Sequence, residues 1–206
     1  MTTKKVLVIG LDGATWKVIT PLMRRGKLPN LKHLISKGFS ATLLSTYPPM
    51  SAPAWVSFIT GQRPGKHGVY DFVVLDKKTM RICHPTFSNI HTPVLWEHMT
   101  YFDKRSVVIN VPMTFPPRPL NGILVSDILT TPDWPVTYPS KISEELRRRG
   151  LKDLLYVDEP VGTYKGHEYV ARMKDFSRAL ADFALDILAK DTWDLFIIVF
   201  LETDRV

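Results

Sequence analysis

Three stretches of this chain are built almost wholly of apolar, largely β-branched residues: VLVIGL (6–11), VVI within SVVIN (106–110) and LFIIVFL (195–201). A strand with one wet face alternates polar and apolar residues, whereas an uninterrupted run predicts a strand buried on both faces. Strands covered on both faces need helices on either side of the sheet, and the segments between the runs supply helical spacing. In NLKHLISKG (30–38) Leu31, Leu34 and Ile35 share a face, and Gly38 stands where a helix stops. The longest helix is predicted over 168–190, with Val170, Met173, Phe176, Leu180, Phe183, Ile187 and Leu188 as its buried stripe. Apolar strands alternating with amphipathic helices predict an α/β fold with a central, mostly parallel sheet flanked by helices on both faces.

Further elements follow from local signals. FSATLLS (39–45) and GILVS (122–126) read as strands. A helix is predicted just after Ser51, with Pro53 in its first turn, and another in HTPVLWEHM (91–99), with Thr92 as cap and Pro93 at the first helical position. Ser140 opens a helix that carries Glu144 and Glu145 early and Arg147 to Arg149 late, and Gly150 ends it. The four prolines between Pro112 and Pro119 predict an extended loop.

Ligands of such sheets collect at the carboxyl ends of the strands. Asp12, Asn110 and Asp204 each stand where an apolar run gives out, and Ser51 follows a further strand by a short loop. Each has a purely structural alternative. Asp12 and Asp204 can organise turns, and Ser51 can cap its helix. As a functional set, two carboxylates suit a divalent cation, and a hydroxyl at a helix start sits where negative charge is favoured. No histidine base adjoins Ser51, so a metal ion would have to activate it. His67 could be a ligand or a turn residue, with the turn favoured, and Arg63 and Lys66 beside it could attract phosphate or simply keep the surface solvated. The chain has no HxxxH or HxH pair, and Gly10 and Gly13 do not complete a dinucleotide fingerprint.

Composition narrows the partners. The net charge of +7 suits an anionic substrate, RNA or an acidic surface. The basic residues are scattered, however, with Arg147–Arg149 the longest run and no nucleic-acid-binding motif, so nucleic acid is not expected as the main partner. Cys83 is the sole cysteine, which rules out a disulfide framework. No signal-peptide pattern follows MTTKK, and no apolar run reaches the ~20 residues that span a bilayer, so a cytoplasmic protein without a membrane partner is expected.

In order along the chain, VLVIGLDGATW, PNLKHLISKG, YPPMSAPAWVSFITGQRPGKHGVYDF and FIIVFLETD resemble the alkaline phosphatase superfamily, most closely its type I phosphodiesterase/nucleotide pyrophosphatase branch. The resemblance implies that residues 1–206 are the N-terminal part of one catalytic domain, incomplete at the C-terminus, with 127–167 an excursion or partial cap within it. It implies a metal-dependent phosphoester hydrolase acting on a small anionic phosphoester through a phosphoserine intermediate. Ser51 would be the nucleophile and would also touch metal, Asp12 the first metal-ligating aspartate, and Asp204 the aspartate that opens a D-x-x-x-H ligand motif. Two divalent cations are implied, zinc first, with manganese or iron as alternatives. The motif's histidine would fall beyond Val206, so this stretch alone is expected to be inactive. Phe72 stands where an asparagine that contacts phosphate is expected, and Asn110 could compensate. A non-catalytic binding module of the same fold remains an alternative, as do phosphomutase and phosphonate hydrolase activities. Cys83 lies too far from the nucleophile position for a sulfatase, and Ala14 replaces the second aspartate that a haloacid-dehalogenase-type phosphatase would need.

Overall fold

The computed structural model describes residues 4–76, 78–127, 136–151 and 166–205. Its centre is a five-stranded sheet of β1 (Val6–Leu11), β4 (Ser106–Val111), β5 (Gly122–Ser126), β6 (Thr137–Tyr138) and β7 (Leu195–Phe200), in the order β1-β7-β4-β5-β6. A small antiparallel hairpin, β2 (Val74–Asp76) and β3 (Arg81–Cys83), stands apart from it. β7 lies parallel to β1 on one side and to β4 on the other, and β5 runs parallel to β4. Only the short β6 is antiparallel, against β5. The helices are α1 (Trp16–Arg24), α2 (Pro29–Lys37), α3 (Ser51–Thr60), the single turn α4 (Pro64–His67), α5 (Leu95–Tyr101), α6 (Ile142–Arg148) and α7 (Gly166–Lys190). Among the described residues no helix is long and apolar enough to cross a membrane.

The continuous apolar runs are explained by two cores, one on each face of the sheet. Leu195, Ile197 and Val199 of β7, with Val108 of β4, pack with Ala52, Val56 and Ile59 of α3 and with Val94 and Trp96. The alternate residues, Phe196 and Ile198 with Val107 and Ile109, face Phe176, Leu180 and Phe183 of α7 and Leu146 of α6. Side chains that alternate between faces must therefore be apolar at every position. Four residues of the expected α7 stripe, Met173, Phe176, Leu180 and Phe183, are buried.

β1 departs from this expectation. Its Val6, Leu7 and Ile9 are about half exposed, because β7 occupies one edge and no strand among the described residues occupies the other. Nor does FSATLLS form a strand: residues 39–46 belong to no helix or strand, and Phe39 and Leu43 are 92% exposed. A strand needs a ladder partner as well as a sequence that favours one, and this segment has none here.

Helix starts also shift. Ser51 is the first residue of α3 rather than its cap: Met50 holds the cap position and no side chain caps the helix. α5 begins at Leu95, where Glu97 accepts a hydrogen bond from the Val94 N–H at 3.0 Å, so Thr92 is not the cap. α6 begins at Ile142 after Lys141, again without the expected serine cap. Gly38 ends α2 in extended rather than left-handed geometry, whereas Gly150 has φ 66° as a stop requires. Much of the expected excursion over 127–167 lies outside the described residues, and its described part contributes β6 and α6 to the sheet and the core.

Candidate active site

The carboxyl ends of β1 and β7 meet. The Asp12 N–H donates to the Phe200 carbonyl at 3.0 Å, which extends the ladder one residue past β1, and the Thr203 hydroxyl donates to the Asp12 carbonyl at 2.5 Å. These bonds tie Asp12 to a 3-10 turn at Glu202–Asp204 that follows β7. Gly13, at φ 66°, makes the close approach feasible: a Cβ there would lie 2.5 Å from Asp204 Oδ1 and 2.8 Å from its Cα. The two aspartates thus become neighbours although 192 positions separate them (204 − 12).

Ser51 joins them from α3. Its hydroxyl donates to Asp12 Oδ1 at 3.2 Å, and the Trp55 Nε1–H, one turn further along the helix, donates to the same oxygen at 3.2 Å. Gly10 leaves room for the Trp55 ring, which a side chain there would strike. The Asp12 carboxylate is therefore held by two donors from one helix.

Asp12, Ser51 and Asp204 line one cleft of about 110 Å³ together with Phe72, Asp127 and Arg205. Phe72 presents an apolar wall where the sequence reading looked for an asparagine. Asn110 does not line this cleft; it is fully buried at the β4 bulge with φ 57°, and its Nδ2 donates to the Val199 carbonyl at 2.9 Å. That bond joins β4 to β7 beneath the site, so Asn110 does not stand in for the missing amide.

Two residues of the cleft escaped the sequence reading. Asp127 ends β5 as Asp12 ends β1, and the polar residue closing GILVSD was the available signal. It is 2% exposed, its Oδ2 accepts from the Met113 N–H at 3.1 Å, and its Oδ1 has no partner among the described residues. Burial pushes its carboxyl up to about 7, against the opposing pull of the Met113 N–H, its own backbone amide and the Arg205 charge. Arg205 carried no signal beyond its place next to Asp204. Glu202, also buried, accepts from the Ser177 hydroxyl at 3.0 Å, and burial raises its carboxyl as well.

His67 ends the α4 turn, with Gly68 at φ 87°, as expected, but it is also a buried prop. Its Nδ1 accepts from the Val69 N–H at 3.2 Å, which leaves Nε2 to donate to the Ser57 hydroxyl at 2.9 Å. Burial lowers its pKa, against the opposing pull of the Pro53 backbone.

Among the described residues no three His, Cys, Asp or Glu side chains form a metal-holding group. The donors that converge are two carboxylates and a hydroxyl, all oxygen. They fit part of the coordination shell of one hard or borderline cation.

A family model for type I phosphodiesterase/nucleotide pyrophosphatase matches residues 6–206. No curated protein matches the chain. Among solved structures, phosphonoacetate hydrolase from Sinorhizobium meliloti, crystallised with phosphonoacetate, superposes with a TM-score of 0.71 at 15% identity over 98% of this chain and 47% of that one. Murine ectonucleotide pyrophosphatase/phosphodiesterase 5 superposes with a TM-score of 0.56 at 14% identity, covering 98% of this chain and 44% of its own. The chain thus spans about half the length of these two structures. At such identities the likeness concerns the fold.

Proposed function

This chain belongs to the type I phosphodiesterase/nucleotide pyrophosphatase family of the alkaline phosphatase superfamily, and from that premise we propose that it carries the nucleophile-bearing part of a phosphoester hydrolase site. The observation that carries the reading is the Ser51–Asp12 pair: a hydroxyl on the first residue of a helix, 3.2 Å from a carboxylate at a strand end, opening into a cleft with a second carboxylate.

Each residue has a part in this reading. Trp55 and Ser51 orient the Asp12 carboxylate, and Gly13 lets Asp204 stand beside it. Asp12 and Asp204, with the Ser51 hydroxyl, would hold a divalent cation; zinc, manganese and iron are the candidates, and the all-oxygen donors here suit manganese at least as well as zinc. When bound, the cation supplies Lewis acidity that favours the serine alkoxide and neutralises phosphoryl charge. A second cation of the pair would need donors beyond this set. The positive end of the α3 dipole favours an anionic phosphoryl group beside Ser51, although Pro53 in the first turn offers no N–H. The Ser51 oxygen forms a bond to phosphorus as the bond to the leaving oxygen breaks, and water then cleaves the phosphoserine. Phe72 in the cleft wall favours a substrate with an apolar group near the phosphorus over one that needs an amide contact.

The test is metal content and bis-p-nitrophenyl phosphate hydrolysis in the complete protein. Hydrolysis that depends on added metal and disappears in Ser51→Ala supports the reading. A Ser51→Ala variant that still turns over refutes the nucleophile assignment.

A further inference from the structure

Among the described residues Arg205 is the only cationic side chain lining the Ser51 cleft, beside three carboxyl groups, Asp12, Asp127 and Asp204. Among the described residues it makes no ion pair within 4.0 Å, although the charges of Asp127 and Glu202 both feel it. Those two carboxyls are already engaged elsewhere, Asp127 Oδ2 with the Met113 N–H and Glu202 Oε2 with the Ser177 hydroxyl. A guanidinium has five N–H donors in a planar fork and cannot shed its charge. It stands here over a cleft of about 110 Å³, room for several water-sized groups when each needs roughly 10–15 Å³.

A second observation points the same way. Asp127, 2% exposed, forms part of the same cleft wall, and its Oδ1 has no hydrogen-bond partner among the described residues. A buried polar atom without a partner is rare in folded proteins. A cation and a buried oxygen on one cleft, both without a partner among the described residues, mark groups that a ligand completes.

We propose that Arg205 is the oxyanion-recognition residue of this cleft, taking two oxygens of a tetrahedral phosphoryl or phosphonyl group in a bidentate grip beside Ser51, with Asp127 Oδ1 available to a hydroxyl of that group. The proposal rests on the reading of the cleft as a phosphoester site and deepens it. It places anion recognition on an arginine next in sequence to Asp204. The physical need is plain: the Asp12 and Asp204 carboxylates repel a phosphoester, and one fixed positive charge with fork geometry offsets that repulsion and orients the group.

The test uses inorganic phosphate as the probe, titrated calorimetrically into the complete protein, once with chelator and once with added manganese. Wild type, Arg205→Lys and Arg205→Ala are compared, with circular dichroism to check folding. The expected result is phosphate affinity at least tenfold weaker in Arg205→Ala, with Arg205→Lys between the two because a point charge lacks the fork. Equal affinity in wild type and Arg205→Ala overturns the proposal, and so does a wild-type protein that binds no phosphate in either condition. Should Arg205→Ala fail to fold, equal affinity in wild type and Arg205→Lys overturns it, and weaker affinity in Arg205→Lys supports it. The functional reading fails separately: phosphate binding that depends on Arg205, without hydrolysis of bis-p-nitrophenyl phosphate in metal-loaded protein, removes the catalytic claim and leaves the recognition claim standing.

Discussion

Asp127→Asn removes a buried charge while keeping the shape of the side chain. In the native protein the Asp127 carboxyl is pushed from 3.8 up to about 7 by burial. A carboxyl raised in this way holds its proton more tightly folded than unfolded. The native state then binds more protons than the unfolded state between those two values, and stability is lost as pH rises through that window. Each unit is worth about 1.4 kcal/mol, so the full cost above neutrality is on the order of 4 kcal/mol, of which about 3 kcal/mol develops between pH 5 and pH 8.5. Asparagine has no proton to lose. Its amide oxygen can accept from the Met113 N–H as Oδ2 does, and its NH₂ occupies the place of the unpartnered Oδ1. Urea unfolding at the two pH values, in chelator, measures the difference directly. The variant should gain about 3 kcal/mol on wild type on going from pH 5 to pH 8.5, because the other titrating groups cancel in the comparison. Parallel stability profiles for the two proteins would show that Asp127 ionises at its ordinary pKa, and the argument from burial would be wrong.

Other predictions concern the cleft and its supports. Ser51→Ala should abolish turnover yet cost only about 1 kcal/mol of stability, since it removes one hydrogen bond at 3.2 Å and no cap; rates and urea midpoints check both parts. Asp12→Ala should lower the metal bound per protein, read by elemental analysis after dialysis, and an unchanged content removes Asp12 from the ligand set. Gly13→Ala should destabilise by about 1–3 kcal/mol, because it forces a side chain into φ 66° and against Asp204; an unchanged melting temperature would contradict the close approach. His67→Phe should cost about 1–3 kcal/mol by stranding the Val69 N–H and the Ser57 hydroxyl, and thermal unfolding reads it.

Much of the fold was legible because periodicity is a local property. The unbroken runs VVI and LFIIVFL could only be buried on both faces, and they form β4 and β7, two of the three interior strands. The helical stripe of α7 was equally readable, since side chains three and four apart share a face wherever the helix packs. VLVIGL carried the same signal yet lies half exposed at an edge, because a residue's burial is decided by what lies beside it. FSATLLS likewise has strand composition without a strand to pair with.

The site divides in the same way. That Asp12 and Asp204 stand at strand ends could be read from the runs that precede them, and that Ser51 stands at a helix start from the run that follows it. That Ser51 donates to Asp12 rather than capping its helix depends on a contact spanning 39 residues, which no local rule specifies. Asp127 and Arg205 reach the cleft only because β5 ends beside β4 and the turn after β7 folds back over Gly13. The amino-acid order determined which segments become strands and helices and where polar groups interrupt them, since those follow from neighbours along the chain. Which polar groups face one another, and which are left without partners, was decided by the tertiary structure, because strand order and register set every distance between residues far apart in sequence.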